Sequence, residues 1–216
     1  MELQEIWPLF GLRLRTSRVE LRVPDDADLA ALISVAARGV HPPEFMPFAV
    51  PWTDKLSPEF ECSAIQHHWK CRAEFSPALW NLCFVVVVDG KIIGSQSLHA
   101  ANFATLRSAE TGSWLGMEFQ GRGIGKRMRA AVVRFAFEYL DAAVITSGAF
   151  TDNPASHRVS LATGYEPNGV SRSVRRGVAA EQVLYRLTRD RWEATRTDEP
   201  LAVEGFDACR PMFGLN

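Results

Sequence analysis

The sequence predicts a mixed α/β (α+β) protein, and three observations support this prediction. Residues 79–88 form a nearly continuous apolar run rich in β-branched residues, which is typical of a central strand buried on both faces. Asp89-Gly90 has the sequence of a hairpin turn, so residues 91–99 are expected to return as the next strand. Residues 123–140 place apolar side chains on one broad helical face.

The remaining elements follow from the same periodicities, taken in chain order. Further strands are predicted over residues 12–23, 108–116, 142–150, 165–174 and 180–188, and further helices over residues 28–38, 57–75 and 153–163. Asp25 or Asp26 can cap the first of these helices, and Asn153 followed by Pro154 begins the last. Residues 101–107 are expected to form a loop.

Length and composition are those of an ordinary globular chain. At 216 residues the chain is expected to form one domain, or one domain with an appendage. The net charge of −1 argues against a dedicated nucleic-acid binder, which usually has a strong basic excess. The longest purely apolar run, residues 82–88, is too short to span a bilayer, and the acidic first residues do not resemble a signal peptide. We therefore predict a cytoplasmic protein without nucleic-acid or membrane partners.

The cysteines and histidines predict no metal site. The cysteines form no C-x-x-C pair and no zinc-ligand spacing, and they are interpreted as reduced thiols: Cys62, Cys71, Cys83 and Cys209. His67 and His68 are adjacent, so they cannot share one helix face or chelate one ion. With no second ligand nearby in the sequence, both are interpreted as surface histidines.

The glycine-rich loop before the amphipathic helix carries the strongest functional signal. Gly121, Gly123 and Gly125 have no side chain that would hold a ligand away from the backbone. Free N–H groups at a helix start act together with the helix dipole to favour an anion. The first turns also contain cations where a helix prefers acids: Arg122, Lys126, Arg127 and Arg129. A bound polyphosphate would compensate these charges, and the alternative is a solvated basic helix face.

Spacing distinguishes this loop from two other phosphate loops. Position 126 is Lys, so the third glycine of the dinucleotide-binding fingerprint is out of register. Gly125-Lys126 is followed by Arg127 rather than Ser or Thr, and position 120 is Gln, which excludes a Walker A loop.

Residues 41–53 contain prolines at positions 42, 43, 47 and 51, which predicts an ordered but irregular loop. Phe48 and Trp52 on this loop are the substrate-binding candidates. Two interpretations stay open, because pockets are themselves apolar and lined by aromatic rings. These side chains pack down on the core, or they form the wall of an acceptor pocket.

Several motifs, in this order along the chain, resemble the GNAT superfamily of N-acyltransferases. They are the strand end Trp114-Leu115-Gly116, the loop Gln120-x-x-Gly123-x-Gly125, and the turn Asn153-Pro154-Ala155-Ser156 followed by Gly164-Tyr165. Over residues 10–190 the chain is similar to the ribosomal-protein N-terminal acetyltransferase branch. It resembles more closely some proteins named as succinyl-CoA transferases, through segments such as Trp7-Pro8-Leu9-Phe10 and Cys209-Arg210-Pro211. The resemblance implies a mixed, mostly antiparallel twisted sheet of about seven strands with helices on both faces.

The resemblance also implies acyl-CoA, either acetyl-CoA or succinyl-CoA, as co-substrate, with no metal. The main chain of the strand end would hold the pantetheine arm, and the loop would hold the pyrophosphate. The cofactor-binding residues implied are Trp114, Leu115, Gly116, Gln120, Gly121, Arg122, Gly123, Ile124, Gly125, Lys126, Asn153 and Ser156. Asn153 can serve as a helix cap at the same time.

The implied reaction is direct attack of an amine on the thioester, which requires a base for the amine and a proton for the leaving thiolate. Glu110 is the base candidate because it is the only carboxylate in the fourth strand, and its alternative is a surface carboxylate. The family often has a Tyr as general acid where this chain has Ser160. Ser160 and Ser156 are the substitutes, although each can equally be a surface or capping serine.

Two classes of function remain open at this point. The first is an acyl-CoA-dependent N-acyltransferase that moves an acetyl or succinyl group to a primary amine. The second is a non-catalytic acyl-CoA-binding or regulatory protein, which the missing Tyr makes plausible. The acceptor is a small molecule or a protein amine, and the sequence does not distinguish a protein N-terminus, a lysine, an aminoglycoside or a small amine.

The division expected along the chain is an acyltransferase domain over 1–190 and a C-terminal tail over 191–216. Val203, Phe206, Met212 and Phe213 are too apolar for a free tail. The tail is therefore expected to dock on its own domain or on a neighbouring subunit of a homo-oligomer.

Overall fold

A computed structural model describes residues 1–215 as one open sheet with helices on both faces. The strands are β1 (Arg13–Arg15), β2 (Glu20–Arg22), β3 (Leu79–Val88), β4 (Lys91–Ala101), β5 (Ser108–Leu115), β6 (Val144–Phe150), β7 (Glu166–Arg175), β8 (Val178–Thr188) and β9 (Ala202–Glu204). The helices are α1 (Leu3–Ile6), α2 (Asp26–Ala37), α3 (Glu59–Ala73), α4 (Phe103–Leu106), α5 (Ile124–Glu138), α6 (Pro154–Ala162), α7 (Arg189–Thr195) and α8 (Phe206–Cys209).

The strand order across the sheet is β7-β8-β6-β5-β4-β3-β2-β1-β9. All neighbouring strands are antiparallel except β5 and β6, which are parallel. The predicted fold class is therefore confirmed, with nine strands in place of about seven.

Two differences account for the additional strands. Residues 12–23 form the β1–β2 hairpin instead of one strand, because Thr16 and Val19 close a turn in which the Thr16 hydroxyl accepts the Val19 N–H. Residues 202–204 of the tail pair with β1 as an outer strand. Neither segment has enough alternating residues to be predicted as a separate strand.

The sheet is covered differently on its two faces. On one face α5 packs against the main hydrophobic core, and Phe84 of β3 meets Phe135 of α5 edge to face at 6.5 Å between ring centroids. On the other face α2 packs Leu29 and Leu32 against Val85 and Val87 of β3. The alternation along β3 explains this, because successive strand residues point to opposite faces.

Smaller differences concern helix bounds and polar stretches. The helix expected from Ser57 begins at Glu59, with Pro58 as its cap residue. The loop expected over 101–107 contains the short helix α4. The polar residues after Thr188 form α7, because Trp192 stacks on Phe137 at 4.9 Å and anchors the helix on the core. None of the helices formed by residues 1–215 is long and apolar enough to cross a membrane.

The tail lies on the same core as the rest of the described chain. Phe206 and Phe213 are buried in the main hydrophobic cluster, and Phe206 contacts Phe135 at 5.5 Å between ring centroids. The expected boundary between residues 190 and 191 falls inside α7. The division into an acyltransferase domain and a tail, and the homo-oligomer, stay predictions.

Candidate functional site

The loop between β5 and α5 has the backbone conformation of an anion-binding loop. Gly121 and Gly123 have φ values of +74° and +75°, which L side chains rarely adopt, and a Cβ added at either position would meet no atom within 4 Å. Gly123 is the cap residue of α5, and no side chain caps this helix start. The start of α5 is therefore uncapped and lies beside two glycines with open surroundings, which suits an anion.

Two other residues predicted to bind the cofactor shape this loop through contacts within the protein. Gln120 donates from Nε2 to the carbonyls of Val40 and Leu115, at 2.8 Å in each case, and so ties the loop to the end of β5. A Cβ on Gly125 would lie 3.3 Å from Cγ2 of Val159 on α6. Gly125 therefore allows α5 and α6 to pack closely.

The four cations that the sequence places at the helix start lie in different environments in the structure. Lys126 is exposed, and Arg122 is exposed and donates to the carbonyl of Glu118 at 2.7 Å. Arg127 pairs instead with Glu199 of the polar segment after α7, at 3.6 Å. Arg129 is buried and points into the sheet. Arg122 and Lys126 are therefore the cations available to a phosphate at the loop.

The strand β5 is no longer paired with β6 along the part of β5 nearer the glycine loop. The two strands pair only from Ser108 to Glu110, and beyond this point β6 continues its pairing with β8 on its other edge. We call the segments that are no longer paired with each other, residues 111–115 of β5 and 147–150 of β6, the β5–β6 wedge. The wedge leaves one edge of β5 for an extended ligand, as a sheet edge does for a peptide.

At the end of β5, two of the three residues predicted to hold pantetheine also have partners within the protein. The Gly116 N–H donates to the carbonyl of Ile93 at 3.0 Å, and the Leu115 carbonyl accepts from Gln120. The Trp114 ring points away from α5 and packs among other aromatic rings on the opposite face. These contacts fix the strand end at the mouth of the wedge.

Glu110 lies at the closed end of the wedge. It is the last residue of β5 that pairs with β6, and its side chain is exposed on the sheet face opposite α5. On the other side of β5 its register partner is His99 of β4, which is also exposed. Residues directly opposite in an antiparallel pair are side-chain neighbours on one face. The sequence did not pair Glu110 with His99, because only the β4–β5 register joins them.

The helix α6 carries both serine candidates one turn apart, and the two differ in burial. Oδ1 of Asn153 accepts from the Ser156 N–H at 3.1 Å, so Asn153 caps the helix as predicted, and Ser156 is half-buried. Ser160 is completely buried, and its hydroxyl has no hydrogen-bond partner among the described residues. Ser156 is therefore the more accessible of the two hydroxyl groups.

Two tyrosines to which the sequence analysis gave no role in the site lie near these elements. Tyr165 Oη lies 3.1 Å from Oγ1 of Thr111 in β5, and Tyr185 Oη lies 2.7 Å from Nδ1 of His157 on α6. Burial raises the pKa of both phenols. Their positions follow from β7 and β8 folding back beside β6, which local motifs do not reveal.

Phe48 and Trp52 belong to an aromatic cluster on the face opposite α5. Trp52 lies 5.3 Å from Phe48, 5.7 Å from Trp114 and 5.9 Å from Phe60, measured between ring centroids. Both candidates are half-buried against α2 and α3. They pack on the core and also present part of their surface beside β5, so both interpretations of this loop remain compatible with the structure.

The tip of the β7–β8 hairpin holds this loop in place. Arg176 pairs with Asp54, with Nε 2.8 Å from Oδ2, and donates from Nη2 to the carbonyl of Pro43 at 3.0 Å. Arg175 reaches Asp152 and the Met46 carbonyl. We call these two arginines the hairpin clamp.

A separate cluster lies on α3 and β3. One ligand atom from each of His67, Cys71 and Cys83 lies within 4.8 Å of the others. The sequence-based expectation of no second ligand near His67 is wrong: it overlooked Cys71 four residues later on the same helix, and Cys83 comes from a different element. Cys71 lies one helical turn after His67, with Sγ 3.7 Å from Nε2.

Comparison with known proteins defines the class to which this fold and site belong. The family model described as the Acetyltransferase (GNAT) domain matches residues 18–166. The chain therefore belongs to the GNAT acetyltransferase family.

Individual relatives agree with this family. The provisionally named ribosomal N-acetyltransferase YdaF of Bacillus subtilis (strain 168) is 29% identical over 113 residues. This match covers 51% of the present chain and 61% of YdaF, which is less than two thirds of that relative.

Solved structures share the fold. Mycobacterium smegmatis RimJ in complex with a CoA disulfide has a TM-score of 0.68 at 21% identity, covering 85% of this chain and 90% of RimJ. RimL, a ribosomal L7/L12 α-N-protein acetyltransferase in complex with coenzyme A, has a TM-score of 0.64 at 17% identity, covering 82% of this chain and 97% of RimL.

Proposed function

We propose that this chain is an acyl-CoA-dependent N-acyltransferase that transfers an acetyl or succinyl group from CoA to a primary amine by direct attack. The observation that carries the proposal is the continuity of three features. The positive-φ glycines lie at the uncapped start of α5, β5 leads directly into them, and Glu110 stands at the end of the β5–β6 wedge. The phosphates of CoA would therefore lie at the glycine loop, its pantetheine arm along β5, and the thioester near Glu110.

The cofactor fits the residues at the loop. The N–H groups after Gly121 and Gly123 and the side chains of Arg122 and Lys126 would hold the pyrophosphate, while Gln120, Ile124 and Gly125 shape the loop. The β5 edge from Trp114 to Gly116 would hold the arm together with Asn153 and Ser156. RimJ and RimL are described in complex with CoA, which supports acyl-CoA as the co-substrate.

Different side chains would accept the proton of the amine and supply a proton to the leaving thiolate. Glu110, directly or through water and with His99 beside it, would take the proton of the attacking amine. As the C–N bond forms and the C–S bond breaks, the thiolate would leave hydrogen-bonded to Ser156 or Ser160, either of which would relay to it a proton that water replaces. A thiol pKa of about 8.5 makes this departure easy, so the acid need not be strong.

The acceptor would enter on the face opposite α5, where Glu110 is exposed and where Phe48 and Trp52 form part of the wall. YdaF and RimL are named for acetylation of ribosomal proteins, which favours a protein amine over a small molecule. A cytoplasmic location, a homo-oligomeric state, and the lack of nucleic-acid and membrane partners complete the proposal.

The identity of the acyl donor is a separate question from that of the acceptor. We propose succinyl-CoA as a donor that the protein accepts, with acetyl-CoA as the alternative that the family name favours. A buried succinyl carboxylate needs donors beyond the thioester carbon, since burying an unpaired charge is costly. The value of kcat/KM for both thioesters with one acceptor decides the question, and a dedicated site favours succinyl by tenfold or more, about 1.4 kcal/mol.

A non-catalytic acyl-CoA-binding protein is the second candidate, and the buried Ser160 in place of the family's Tyr favours it. One experiment separates the two. Release of free CoA thiol is followed with acetyl-CoA and succinyl-CoA against a panel of peptides and amines, while calorimetry measures binding. Amine-dependent thiol release supports the enzyme, whereas binding without release under all conditions supports the second candidate.

A further inference from the structure

Outside the acyltransferase site, α3 and β3 bring one imidazole nitrogen and two thiol sulfurs together. The donor atoms of His67, Cys71 and Cys83 all lie within 4.8 Å of one another, and both cysteines are free thiols. His67 and Cys71 are four residues apart in α3 and therefore share one face of the helix. Cys83 lies on the same face of β3 as Val85 and Val87, because strand residues alternate between faces, and this is the face that α2 and α3 cover.

The spacing of these donor atoms fits a tetrahedral metal ion. Bonds of about 2.3 Å from zinc to sulfur and about 2.0 Å from zinc to nitrogen put a nitrogen and a sulfur donor about 3.6 Å apart, and two sulfurs about 3.8 Å apart. Nε2 of His67 lies 3.7 Å from Sγ of Cys71, close to the first of these values. The separations to Cys83 would need to shorten by no more than about 1.3 Å, which side-chain rotation can supply.

The surroundings of the cluster suit such an ion. Two thiolates and an imidazole are ligands that zinc-class metals prefer, whereas Mg²⁺ and Ca²⁺ prefer oxygen. Nδ2 of Asn81 lies 3.4 Å from Sγ of Cys71 and would donate to a metal-bound thiolate, as outer-shell partners do. His67 is exposed and the two cysteines are half-buried, so an ion can reach the site from solvent.

We propose that His67, Cys71 and Cys83 form a binding site for a divalent transition-metal ion of the zinc class, with water in the fourth position. As the ion binds, the two thiols release their protons to solvent, and the resulting thiolates neutralise the charge of the ion. This inference differs from the sequence-based expectation of no metal, and it does not rest on the proposed acyltransferase function.

The bound ion would fasten the C-terminal half of α3 to the sheet. Of the 15 residues of α3, all of which the structure describes, only Phe60 in the first turn is buried, so the second half of the helix has little apolar anchorage. Asn81 is the register partner of His99, and His99 is that of Glu110. Neighbouring strands are about 4.8 Å apart, so the ion would lie about 10 Å from the proposed base, on the face where the acceptor would enter. It would support this face rather than contact the reacting atoms.

A disulfide between Cys71 and Cys83 is the alternative use of the same sulfur atoms. It would occupy both sulfurs and would give His67 no role. A pair of cysteines that serves only as a disulfide has no need to bind an ion once it is reduced. Metal binding by the reduced protein therefore distinguishes the two interpretations.

The first test uses the unmodified full-length chain, reduced and freed of metal with a chelator. Titration with Co²⁺ should give the absorption bands of a tetrahedral ion and a thiolate-to-metal charge-transfer band, saturating at one ion per chain. Zn²⁺ should then displace Co²⁺, since it binds such ligands more tightly. Bound Zn²⁺ should protect Cys71 and Cys83 from alkylation, but not the exposed Cys62. A missing charge-transfer band, or equal alkylation of all three thiols, overturns the proposal.

The second test changes the ligands. Loss of an outer-shell partner alone costs about 10–100-fold in metal affinity, so Cys71→Ser and His67→Ala should each weaken Zn²⁺ binding by about 100-fold or more. Cys62→Ser on the same helix is the matched control and should bind as the wild type does. Zn²⁺ should raise the thermal midpoint of the wild type and of Cys62→Ser but not of Cys71→Ser, because an ion held by the folded state stabilises it. A Cys71→Ser protein that folds, as judged by circular dichroism, and binds Co²⁺ with the wild-type spectrum contradicts the proposal.

Discussion

Arg175 and Asp152 form a two-point ion pair, with Nη1 2.8 Å from Oδ1 and Nη2 2.9 Å from Oδ2. The pair fastens the tip of the β7–β8 hairpin to the turn that precedes α6. Arg175 also lies over the ring of Phe150 at 4.3 Å and donates to the carbonyl of Met46 at 3.2 Å. One side chain therefore connects the end of β6, the turn at Asn153 and the loop that carries Phe48.

Breaking this pair should affect the acceptor more than the fold. Arg175→Gln removes one of the two links between the hairpin and the loop that carries Phe48 and leaves the Arg176 link, so we expect a higher KM for the amine with kcat and CoA affinity nearly unchanged. The Asp152 side chain is half exposed, and solvent screens such pairs, so the cost in unfolding free energy should stay below about 1 kcal/mol. Arg172→Gln on the same strand is the control. An unchanged KM for the amine in Arg175→Gln would contradict the role of the hairpin clamp in acceptor binding.

The same pair makes a prediction about pH. The Arg175 guanidinium holds the pKa of the Asp152 carboxyl below its usual value. Because the folded-state pKa is depressed, the stabilisation is present above the unfolded-state pKa of about 3.9 and is lost as the pH falls through the folded-state value. Thermal midpoints of the wild type and Arg175→Gln should therefore differ at pH values above about 4 and converge at lower pH.

The phosphate loop gives the sharpest test of cofactor binding. Gly123→Asp introduces a carboxylate where the start of α5 would meet the pyrophosphate, so CoA binding should fall below detection by calorimetry. Gly90→Asp is a matched control, because Gly90 has nearly the same backbone angle, φ +73°, and equally open surroundings in the β3–β4 turn. If the two variants bind CoA alike, the loop does not hold the phosphates.

Glu110→Gln tests the proposed base. The amide keeps the size of the side chain and loses the proton acceptor, so kcat should fall about 10²–10⁴-fold with unchanged acyl-CoA affinity. Glu193→Gln, an exposed carboxylate on α7, should behave as wild type. A near-normal kcat for Glu110→Gln at the pH optimum rules out this role, and a similar loss in His99→Ala would assign part of it to His99.

The thiol of Cys71 should be the most reactive in the chain. The neighbouring Cys83, His67 and Asn81 lower the pKa of Cys71 below that of an ordinary thiol, so in the metal-free protein at a pH of about 6.5 more of it than of the other cysteines is the nucleophilic thiolate. Brief treatment with iodoacetamide at this pH, followed by peptide mass spectrometry, should label Cys71 before the exposed Cys62. His67→Ala should move the midpoint of the labelling profile to higher pH, and preferential labelling of Cys62 would contradict the prediction.

How much the sequence predicted depends on how local each feature is. The strand over 79–88 and the Asn153 cap were predicted correctly, because periodicity and capping act within a few residues. The direction of Arg129 was predicted wrongly, since a charge near a helix start looks the same whether it faces solvent or the sheet. The Glu110–His99 pairing and the position of Cys83 beside Cys71 depend on strand register and on tertiary packing, which no local pattern encodes.

The pairing of β9 with β1 has a kinetic consequence. Arg13 and Glu204 are register partners, so this edge of the sheet joins segments separated by nearly all of the described chain. Closing so long a loop has a high entropic cost. Strand pairing offsets this cost only after the intervening strands have formed. The three residue pairs of this ladder should therefore form late in folding and open early, and amide exchange at this edge should be faster than in β3 and β4.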